Sequence, residues 1–299
     1  ACIGRAHSGH PISCIQYPES GREVDFPKDQ VPSTSKTVTV VGGGPAGLKA
    51  AAVAAERGHR VTLYEASKQL GGQALLAQRL PGREEFGGIV QNLSREAVAA
   101  GASIHTGHAV TADQIQADMP DALILATGAL PYEPPLEGQD EAHVVNAWEV
   151  LAGANVGNDV VIADWRCDWV GIGLAEMMAT SGRRVRLMVN GAMPGETLQL
   201  YVRNHYLGRL RRLGVSIETN VRLFGVDTDS AYFQDTLTDE AVVEESVDTL
   251  ITSLGHTPAD ELGHALEAAK RPFVRIGDCL APRTAEEAVL DGLQAAWSL

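Results

Sequence analysis

A glycine-rich turn and a downstream acidic residue are the features of this sequence with the clearest chemistry. Residues 42–47 fit the pattern G-x-G-x-x-G, and Glu65 lies 18 positions after Gly47. Glycines in this pattern allow a tight turn and let the backbone approach a diphosphate, and the helix that follows directs free N–H groups at it. A carboxylate at this distance accepts hydrogen bonds from ribose hydroxyls and repels a 2′-phosphate. The pattern therefore predicts a site for a dinucleotide that carries no 2′-phosphate.

Strands and a helix flank this turn and would hold it in place. Residues 37–41 form a β-rich run before the turn, residues 46–57 a helix of small side chains, and residues 60–64 a second strand. The same plan begins again at Asp159. Strands that alternate with helices predict parallel, doubly wound sheets. We therefore predict an α/β fold with two Rossmann-like domains of the FAD/NAD type, the second inserted in the first, after an irregular N-terminal segment.

Three further motifs extend the nucleotide signal. Gly71-Gly72-Gln73 follows the second strand, Ala126-Thr127-Gly128 follows a later strand, and Gly277-Asp278 follows a strand near the end of the chain. With the first turn they resemble the disulfide-reductase-like flavoprotein superfamily, in which the Gly-Asp aspartate holds the ribityl chain or the diphosphate region of the flavin. Taken alone, Asp278 also fits a helix N-cap. The candidate cofactor-binding residues are Gly42, Gly44, Pro45, Ala46, Gly47, Glu65, Gly72, Gln73, Val110, Ala126, Thr127, Gly128, Gly277 and Asp278.

The second strand–helix–strand unit lacks the residues that would bind a nucleotide. Residues 163–169, Ala-Asp-Trp-Arg-Cys-Asp-Trp, stand in place of the glycine turn, which becomes about three residues longer, and Val189 stands in place of the acidic residue. Two Trp and two Asp residues would crowd and repel a diphosphate. This predicts that NAD(P)H does not bind there, that Trp165 and Trp169 fill the cleft, and that Cys167 is a buried structural thiol.

The N-terminal segment carries a more specific likeness. Residues 2–5 (Cys-Ile-Gly-Arg), residues 14–18 (Cys-Ile-Gln-Tyr-Pro) and residues 21–23 (Gly-Arg-Glu) resemble the junction of multidomain old-yellow-enzyme relatives. That family includes trimethylamine dehydrogenase, histamine dehydrogenase, 2,4-dienoyl-CoA reductase and N-demethylases of methylated glycines and prolines. The resemblance implies an FMN-binding TIM barrel on another part or subunit, with FAD, or ADP alone, in the first nucleotide domain.

The family's junction also holds a 4Fe–4S cluster on four cysteines, and this sequence departs from that pattern. Arg5 stands where the second cluster cysteine belongs, and the segment has no third cysteine, which argues against a cluster. Cys2, His7, His10 and Cys14 offer an alternative two-Cys, two-His site for zinc or another metal. The leading interpretation is that both cysteines are unliganded, so no metal-binding residue is assigned.

The expected domain boundaries follow from composition and from the resemblance. Residues 1–36 are rich in Gly, Pro, Ser and charge and read as an irregular junction, with linker-like stretches at residues 27–29 and 31–35. Residues 37–156 and 258–299 are expected to form the FAD- or ADP-binding domain. Residues 157–257 are expected to form a degenerate NAD(P)-type domain.

Charge and cysteine content exclude several classes of function. Lys+Arg 24 against Asp+Glu 38 gives a formal net charge of −14. Because so acidic a chain is repelled by phosphate backbones and anionic lipid, we expect neither a nucleic acid nor a membrane as partner. Four cysteines in 299 residues are too few for a secreted disulfide framework and favour a cytoplasmic protein. We also expect an oligomer.

The combined interpretation is a C-terminal portion or subunit of a flavin-dependent oxidoreductase of the N-demethylase or amine dehydrogenase type. It would bind FAD or ADP and assist electron transfer from an FMN barrel to an acceptor such as an electron-transferring flavoprotein. Two alternatives stay open: an NAD(P)H-dependent flavin reductase, and a non-catalytic module in which ADP is structural. No catalytic acid, base or nucleophile is assignable, since no Ser–His–Asp set or Cys–His pair has a persuasive local context.

Overall fold

The computed structural model describes residues 2–27 and 32–299, so the predicted linker residues 28, 29 and 31 lie outside the described part. The strands are β1 Thr37–Val41, β2 Arg60–Glu65, β3 Ser103–Thr106, β4 Ala122–Leu125, β5 Ala129–Pro131, β6 Val144–Asn146, β7 Asp159–Asp164, β8 Arg184–Val189, β9 Ser216–Thr219, β10 Val221–Val226, β11 Ser230–Asp235, β12 Ala241–Glu245, β13 Thr249–Ser253, β14 His256–Pro258 and β15 Val274–Arg275. The α-helices are α1 Cys2–His7, α2 Pro45–Glu56, α3 Ala74–Ala77, α4 Phe86–Ala99, α5 Ala112–Asp118, α6 Ala147–Ala152, α7 Trp169–Thr180, α8 Leu200–Arg212, α9 Glu261–Ala268 and α10 Ala285–Trp297. Short 3-10 helices span Gln139–Glu141 and Gly277–Cys279.

The chain divides into two compact units. The first contains Ala1–Gln78, Glu84–Leu130 and Thr257–Leu299, and the second contains Arg79–Arg83 and Pro131–His256. The second unit is therefore inserted between parts of the first along the chain. The domain boundaries expected from the sequence assign residues 131–156 to the first domain. They remain a prediction about which residues form each functional domain.

Each unit is built on a five-stranded parallel sheet, and the two sheets have the same plan. The strand order is β15-β4-β1-β2-β3 in the first unit and β6-β13-β7-β8-β9 in the second. Every neighbouring pair within these sheets runs parallel. The predicted α/β class and the internal repeat are confirmed, since β7 and α7 hold the positions that β1 and α2 hold in the first unit. A separate antiparallel sheet in the second unit has the order β10-β11-β12.

Helix α2 is the most deeply buried helix of the first unit. Its residues from Ala46 to Ala55 are all buried, and most of them are alanine. Small side chains let the helix pack against the sheet and against helices α4 and α10 together. Gly292 of α10 permits the closest approach, because a Cβ there would lie 2.4 Å from the Ala46 carbonyl oxygen. This packing fixes the start of α2 relative to the end of β1.

The N-terminal segment has more regular structure than the sequence predicts. Helix α1 occupies residues expected to be irregular, and it is closed by Gly9 at φ +74° and by the bond from the His10 amide to the Arg5 carbonyl. Ser13 is buried, with 1% of its surface exposed. Among the described residues, every helix is too short or too polar to traverse a lipid bilayer.

Candidate functional site

The turn after β1 requires glycine at two positions for reasons visible in the backbone. Gly42 has φ +109°, and a Cβ there would lie 2.1 Å from the Ala126 carbonyl oxygen. A Cβ on Gly47 would lie 1.9 Å from the Gly42 carbonyl oxygen. No larger residue fits either position without moving backbone, so the close approach of β1, β4 and α2 depends on both glycines.

Gly44 plays a different part in the same turn. It is the N-cap of α2 and, as a glycine, it has no side chain that could accept a hydrogen bond from the first N–H groups of the helix. A Cβ on Gly44 would meet no atom within 4 Å, so the backbone here faces open space. Pro45 begins the helix and has no N–H to donate. The amides that remain at this helix start can therefore bind an anion that lies against Gly44.

Glu65 at the end of β2 hydrogen-bonds to the backbone of the turn. Its Oε2 accepts a hydrogen bond from the Gly43 amide at 2.7 Å, and its Oε1 accepts one from the Ser67 amide at 2.7 Å. Each carboxylate oxygen keeps a further lone pair, so the group can also accept from ribose hydroxyls. The predicted acidic residue thus lies beside the predicted turn, in the arrangement the sequence motif requires.

Two motifs that are far apart in sequence meet at the same edge of the first sheet. The side-chain Nε2 of Gln73 donates a hydrogen bond to Oδ2 of Asp278 at 3.0 Å. The backbone N–H of Arg283 donates one to Oδ1 of Asp278, also at 3.0 Å. Gly72, at φ +51°, lies close to Gly44, since a Cβ on Gly72 would be 3.5 Å from the Gly44 Cα. The structure therefore brings the glycine turn, the Gly-Gly-Gln motif and the Gly-Asp motif together.

The remaining candidates support the backbone around this edge. The Thr127 hydroxyl donates to the Ala259 carbonyl at 2.6 Å, and the Ala259 amide donates to the Gly128 carbonyl at 3.0 Å. Ala126 is buried under the turn, with 7% of its surface exposed. Gly277 is packed against Ala46, because a Cβ there would lie 2.8 Å from the Ala46 Cβ. Val110 packs against a neighbouring apolar cluster that includes Val41.

Two polar residues that orient the Gly-Asp motif were not predicted. Oδ2 of Asp291 on α10 accepts a hydrogen bond from the Gly277 amide at 3.0 Å, and the Arg283 guanidinium pairs with the same carboxylate. The sequence carries no local signal for either residue beyond their position shortly after Asp278. They hold the Gly277–Asp278 backbone, which places the Asp278 carboxylate against Gln73.

The equivalent turn of the second unit lacks the glycine pattern of the first, but it is shorter than the predicted stretch of residues 163–169. Ala163 and Asp164 continue strand β7, paired with Met188 and Val189 of β8, and so do not belong to the turn. Four residues, 165–168, then lead into α7, against three, 42–44, before α2. Strand β7 has six residues against five in β1, so the extra length is divided between one more strand residue and one more loop residue.

Trp165 and Trp169, which were predicted to fill the cleft of the second unit, are only partly buried. The Trp169 ring contacts the Tyr206 ring edge-on and the Arg83 guanidinium face-on, and Trp165 packs against the second unit's core. Burial, together with the charges of Asp164 and Glu196, raises the pKa of the Cys167 thiol to about 12. A thiol with so high a pKa stays protonated near neutral pH and is a poor nucleophile.

Asp164 is the most strongly perturbed carboxyl group of the second unit. Burial raises its pKa to about 7, and the nearby charge of Asp168 acts in the same direction, against hydrogen bonds from the Cys167 and Arg166 amides. A raised pKa means that the folded state favours the protonated carboxyl. The stability this group contributes is fully present below its ordinary pKa of 3.8 and is lost as the pH rises through about 7.

We therefore expect Asp164→Asn to flatten the pH dependence of stability. Between about pH 5 and about pH 8 the parent chain should lose up to about 3 kcal/mol of unfolding free energy relative to the variant. Denaturant unfolding at several pH values measures this difference. Glu240→Gln, at an exposed position, is the control and should track the parent chain. Parallel curves for the parent and Asp164→Asn would contradict the assignment.

The N-terminal residues do not fit an iron–sulfur cluster. Arg5, in the second cysteine's place, donates from its guanidinium to the Pro11 carbonyl and to Glu286, each at 2.9 Å. Cys2 is exposed and Cys14 is half-buried. In residues 2–27 and 32–299, no three His, Cys, Asp or Glu side chains lie close enough to hold a metal ion, so the alternative two-Cys, two-His site is not assembled there.

Comparison with known proteins agrees with the geometry of the first unit. The model of the family described as pyridine nucleotide-disulphide oxidoreductase matches residues 36–278. That range includes both parallel sheets and every candidate cofactor-binding residue. The chain belongs to this family.

Individual members of the family fit the likeness found in the sequence. The chain is 31% identical to N,N-dimethylglycine/sarcosine dehydrogenase of Chromohalobacter salexigens, with 98% of this chain and 48% of that protein covered. It is 30% identical to a probable N-methylproline demethylase of Rhizobium meliloti, with 98% and 48% covered. Among solved structures, a 2-naphthoyl-CoA reductase complex is 28% identical with a TM-score of 0.89, with 100% of this chain and 45% of that chain covered. The resemblance to multidomain oxidoreductases with N-demethylase members is confirmed.

These relatives are much longer than this chain. The chain spans about half the length of the proteins it matches, at 48% of the first two. The family is one of oxidoreductases, and together with the similar proteins it supports flavin binding.

Proposed function

We propose that this chain is the nucleotide-binding, electron-transferring part of a flavin-dependent oxidoreductase of the N-demethylase or amine dehydrogenase type. Its own part in the reaction is to hold FAD in the first unit. The observation that carries the proposal is the open cradle at Gly44, which faces an uncapped helix start and lies beside Glu65 and the Gln73–Asp278 pair. Substrate oxidation would take place at FMN on a barrel in the other half of the complete enzyme.

The residues present fit an adenine dinucleotide at each point where it needs a partner. The amides at the start of α2 offer hydrogen bonds to the diphosphate, and the missing Cβ of Gly44 leaves room for it. Glu65 accepts from the adenosine ribose. Asp278 and Gln73, which hydrogen-bond to each other near the glycine turn, would contact the part of a flavin dinucleotide beyond the diphosphate. FAD held there would supply a redox centre between the barrel and an external acceptor.

The chain's own residues act on the cofactor by position and charge. Asp291 and Arg283 fix the backbone that carries Asp278, and Thr127 fixes the loop after β4. The proposal requires no general acid or base in this unit, and it gives the carboxylates of Glu65 and Asp278 a binding role only. The substrate would be an N-methyl amine or a related amine, and the acceptor a second flavoprotein such as an electron-transferring flavoprotein.

Release of the bound nucleotide tests the proposal directly. The purified chain is denatured, and the supernatant is separated by chromatography against FAD, FMN and ADP standards. FAD in near-stoichiometric amount is the expected result. ADP in place of FAD would favour the structural module, in which the same cradle holds the nucleotide without electron transfer. Release of neither compound would refute the site.

An NAD(P)H-dependent flavin reductase is the second candidate, favoured by the family's pyridine nucleotide members. It requires hydride to enter through the second unit, where the turn has no G-x-G-x-x-G pattern and β8 ends at the buried Val189. Anaerobic addition of NADH distinguishes the two functions. We expect the visible flavin absorbance to stay unchanged, whereas rapid bleaching would support the reductase.

A further inference from the structure

We propose that the carboxyl groups of Asp164 and Asp168 occupy the place of a bound diphosphate in the second unit and determine its specificity by excluding pyridine dinucleotides. They take up the hydrogen bonds that a diphosphate would need at the turn between β7 and α7. The inference concerns the second unit alone and stands whichever nucleotide the first unit holds.

Both carboxylate oxygens of Asp168 accept hydrogen bonds, one from the start of α7 and one from the side chain of Arg166. It is the N-cap of the helix, and its Oδ1 accepts a hydrogen bond from the Val170 amide at 2.8 Å. Its Oδ2 accepts from Nε of Arg166 at 3.0 Å. Asp168 therefore already pairs with Arg166, the one cation of the turn. It also occupies one of the amides at the helix start that would otherwise be available to a ligand.

Asp164 fills the space beneath the same turn. Its Oδ1 accepts from the Arg166 amide at 3.2 Å and from the Cys167 amide at 3.1 Å, and the residue is fully buried. Its Oδ2 is buried too, and within the described part of the chain it has no hydrogen-bond partner. Gly171 makes room for this carboxylate, because a Cβ there would lie 2.3 Å from Oδ2. The carboxylate thus sits against the first turn of α7.

The first unit provides the matched comparison within one chain. Strands β1 and β7 hold the same place in sheets of the same order, and helices α2 and α7 follow them. At the first turn no side chain caps the helix and Gly44 faces open space. At the second turn two carboxylates hold three amides and the arginine. An incoming diphosphate would have to displace both carboxylates and would meet their negative charge.

Pyrophosphate binding to the purified holoprotein tests the inference, since the first unit's site is then filled. Isothermal titration at about pH 8 compares the parent chain with Asp168→Gly and Asp168→Asn. Glycine is tolerated at an N-cap and frees the Val170 amide and the Arg166 guanidinium. Asparagine keeps the cap and removes only the charge. We expect at least tenfold tighter pyrophosphate binding by Asp168→Gly and a smaller gain by Asp168→Asn.

Further measurements decide what each outcome means. Adding Asp164→Asn to Asp168→Gly should increase the gain again, and the exposed control Glu240→Gln should behave like the parent chain. Circular dichroism establishes that each variant is folded. The parent chain titrated with NADH and NADPH needs no variant at all: dissociation constants below about 0.1 mM would overturn the inference. Folded Asp168 variants with unchanged pyrophosphate affinity would overturn it as well.

Discussion

Gly44→Val is expected to abolish nucleotide retention and leave the fold of the first unit intact. Gly44 has φ −75° and ψ −179°, a conformation that valine favours, and a Cβ there meets no protein atom within 4 Å. The new side chain would instead fill the space where the diphosphate approaches the backbone. We expect an affinity loss of about 100-fold, or ~3 kcal/mol, with an unfolding free energy within about 1 kcal/mol of the parent apoprotein.

The measurement is nucleotide content after purification, followed by titration of the apoprotein with FAD and ADP. Gly47→Ala is the matched contrast, because its Cβ would lie 1.9 Å from the Gly42 carbonyl oxygen. That variant should lose both stability, by about 3 kcal/mol, and nucleotide. A Gly44→Val protein that still purifies with a full complement of nucleotide would place the ligand elsewhere.

Lys49→Met is expected to cause a large loss of stability although it lies outside the glycine turn. Lys49 lies on α2 with only 4% of its side chain exposed, and its Nζ is 3.0 Å from Glu19 and 3.4 Å from Glu96. Methionine keeps the volume but leaves two poorly hydrated carboxylates without a cation. Breaking such a cluster costs about 3 kcal/mol, and here it also releases the N-terminal segment that carries Glu19.

Denaturant unfolding measures the loss, and limited proteolysis followed by mass spectrometry reports whether residues around Glu19 become accessible. The exposed Lys68→Met is the control and should change little. Adding Glu19→Gln and Glu96→Gln to Lys49→Met should restore much of the stability, because the uncompensated charges are then gone. Equal stability of Lys49→Met and the parent chain would show that the cluster contributes nothing.

The sequence was sufficient for features whose requirement is local. The G-x-G-x-x-G pattern lies within six consecutive residues, and a Cβ on Gly47 would collide with the Gly42 carbonyl oxygen inside that stretch. The clash of a Cβ on Gly42 with the Ala126 carbonyl oxygen, in contrast, comes from the tertiary structure. Alternation of strands with helices predicted both parallel sheets and their repeat. The sequence also showed that the second turn lacks the G-x-G-x-x-G pattern, although it did not show that Asp164 belongs to strand β7 and Trp169 to helix α7.

Tertiary structure alone decided which distant residues meet and which carboxylates are buried. Gln73 and Asp278 are 205 positions apart, and they bond because β15 pairs with β4 and returns the end of the chain to the same sheet edge. Asp164 looked like a turn residue, but its burial followed from the register of β7 with β8. Local backbone demands are encoded at the position itself, whereas sheet register and helix packing depend on the whole chain, so no short motif could reveal them.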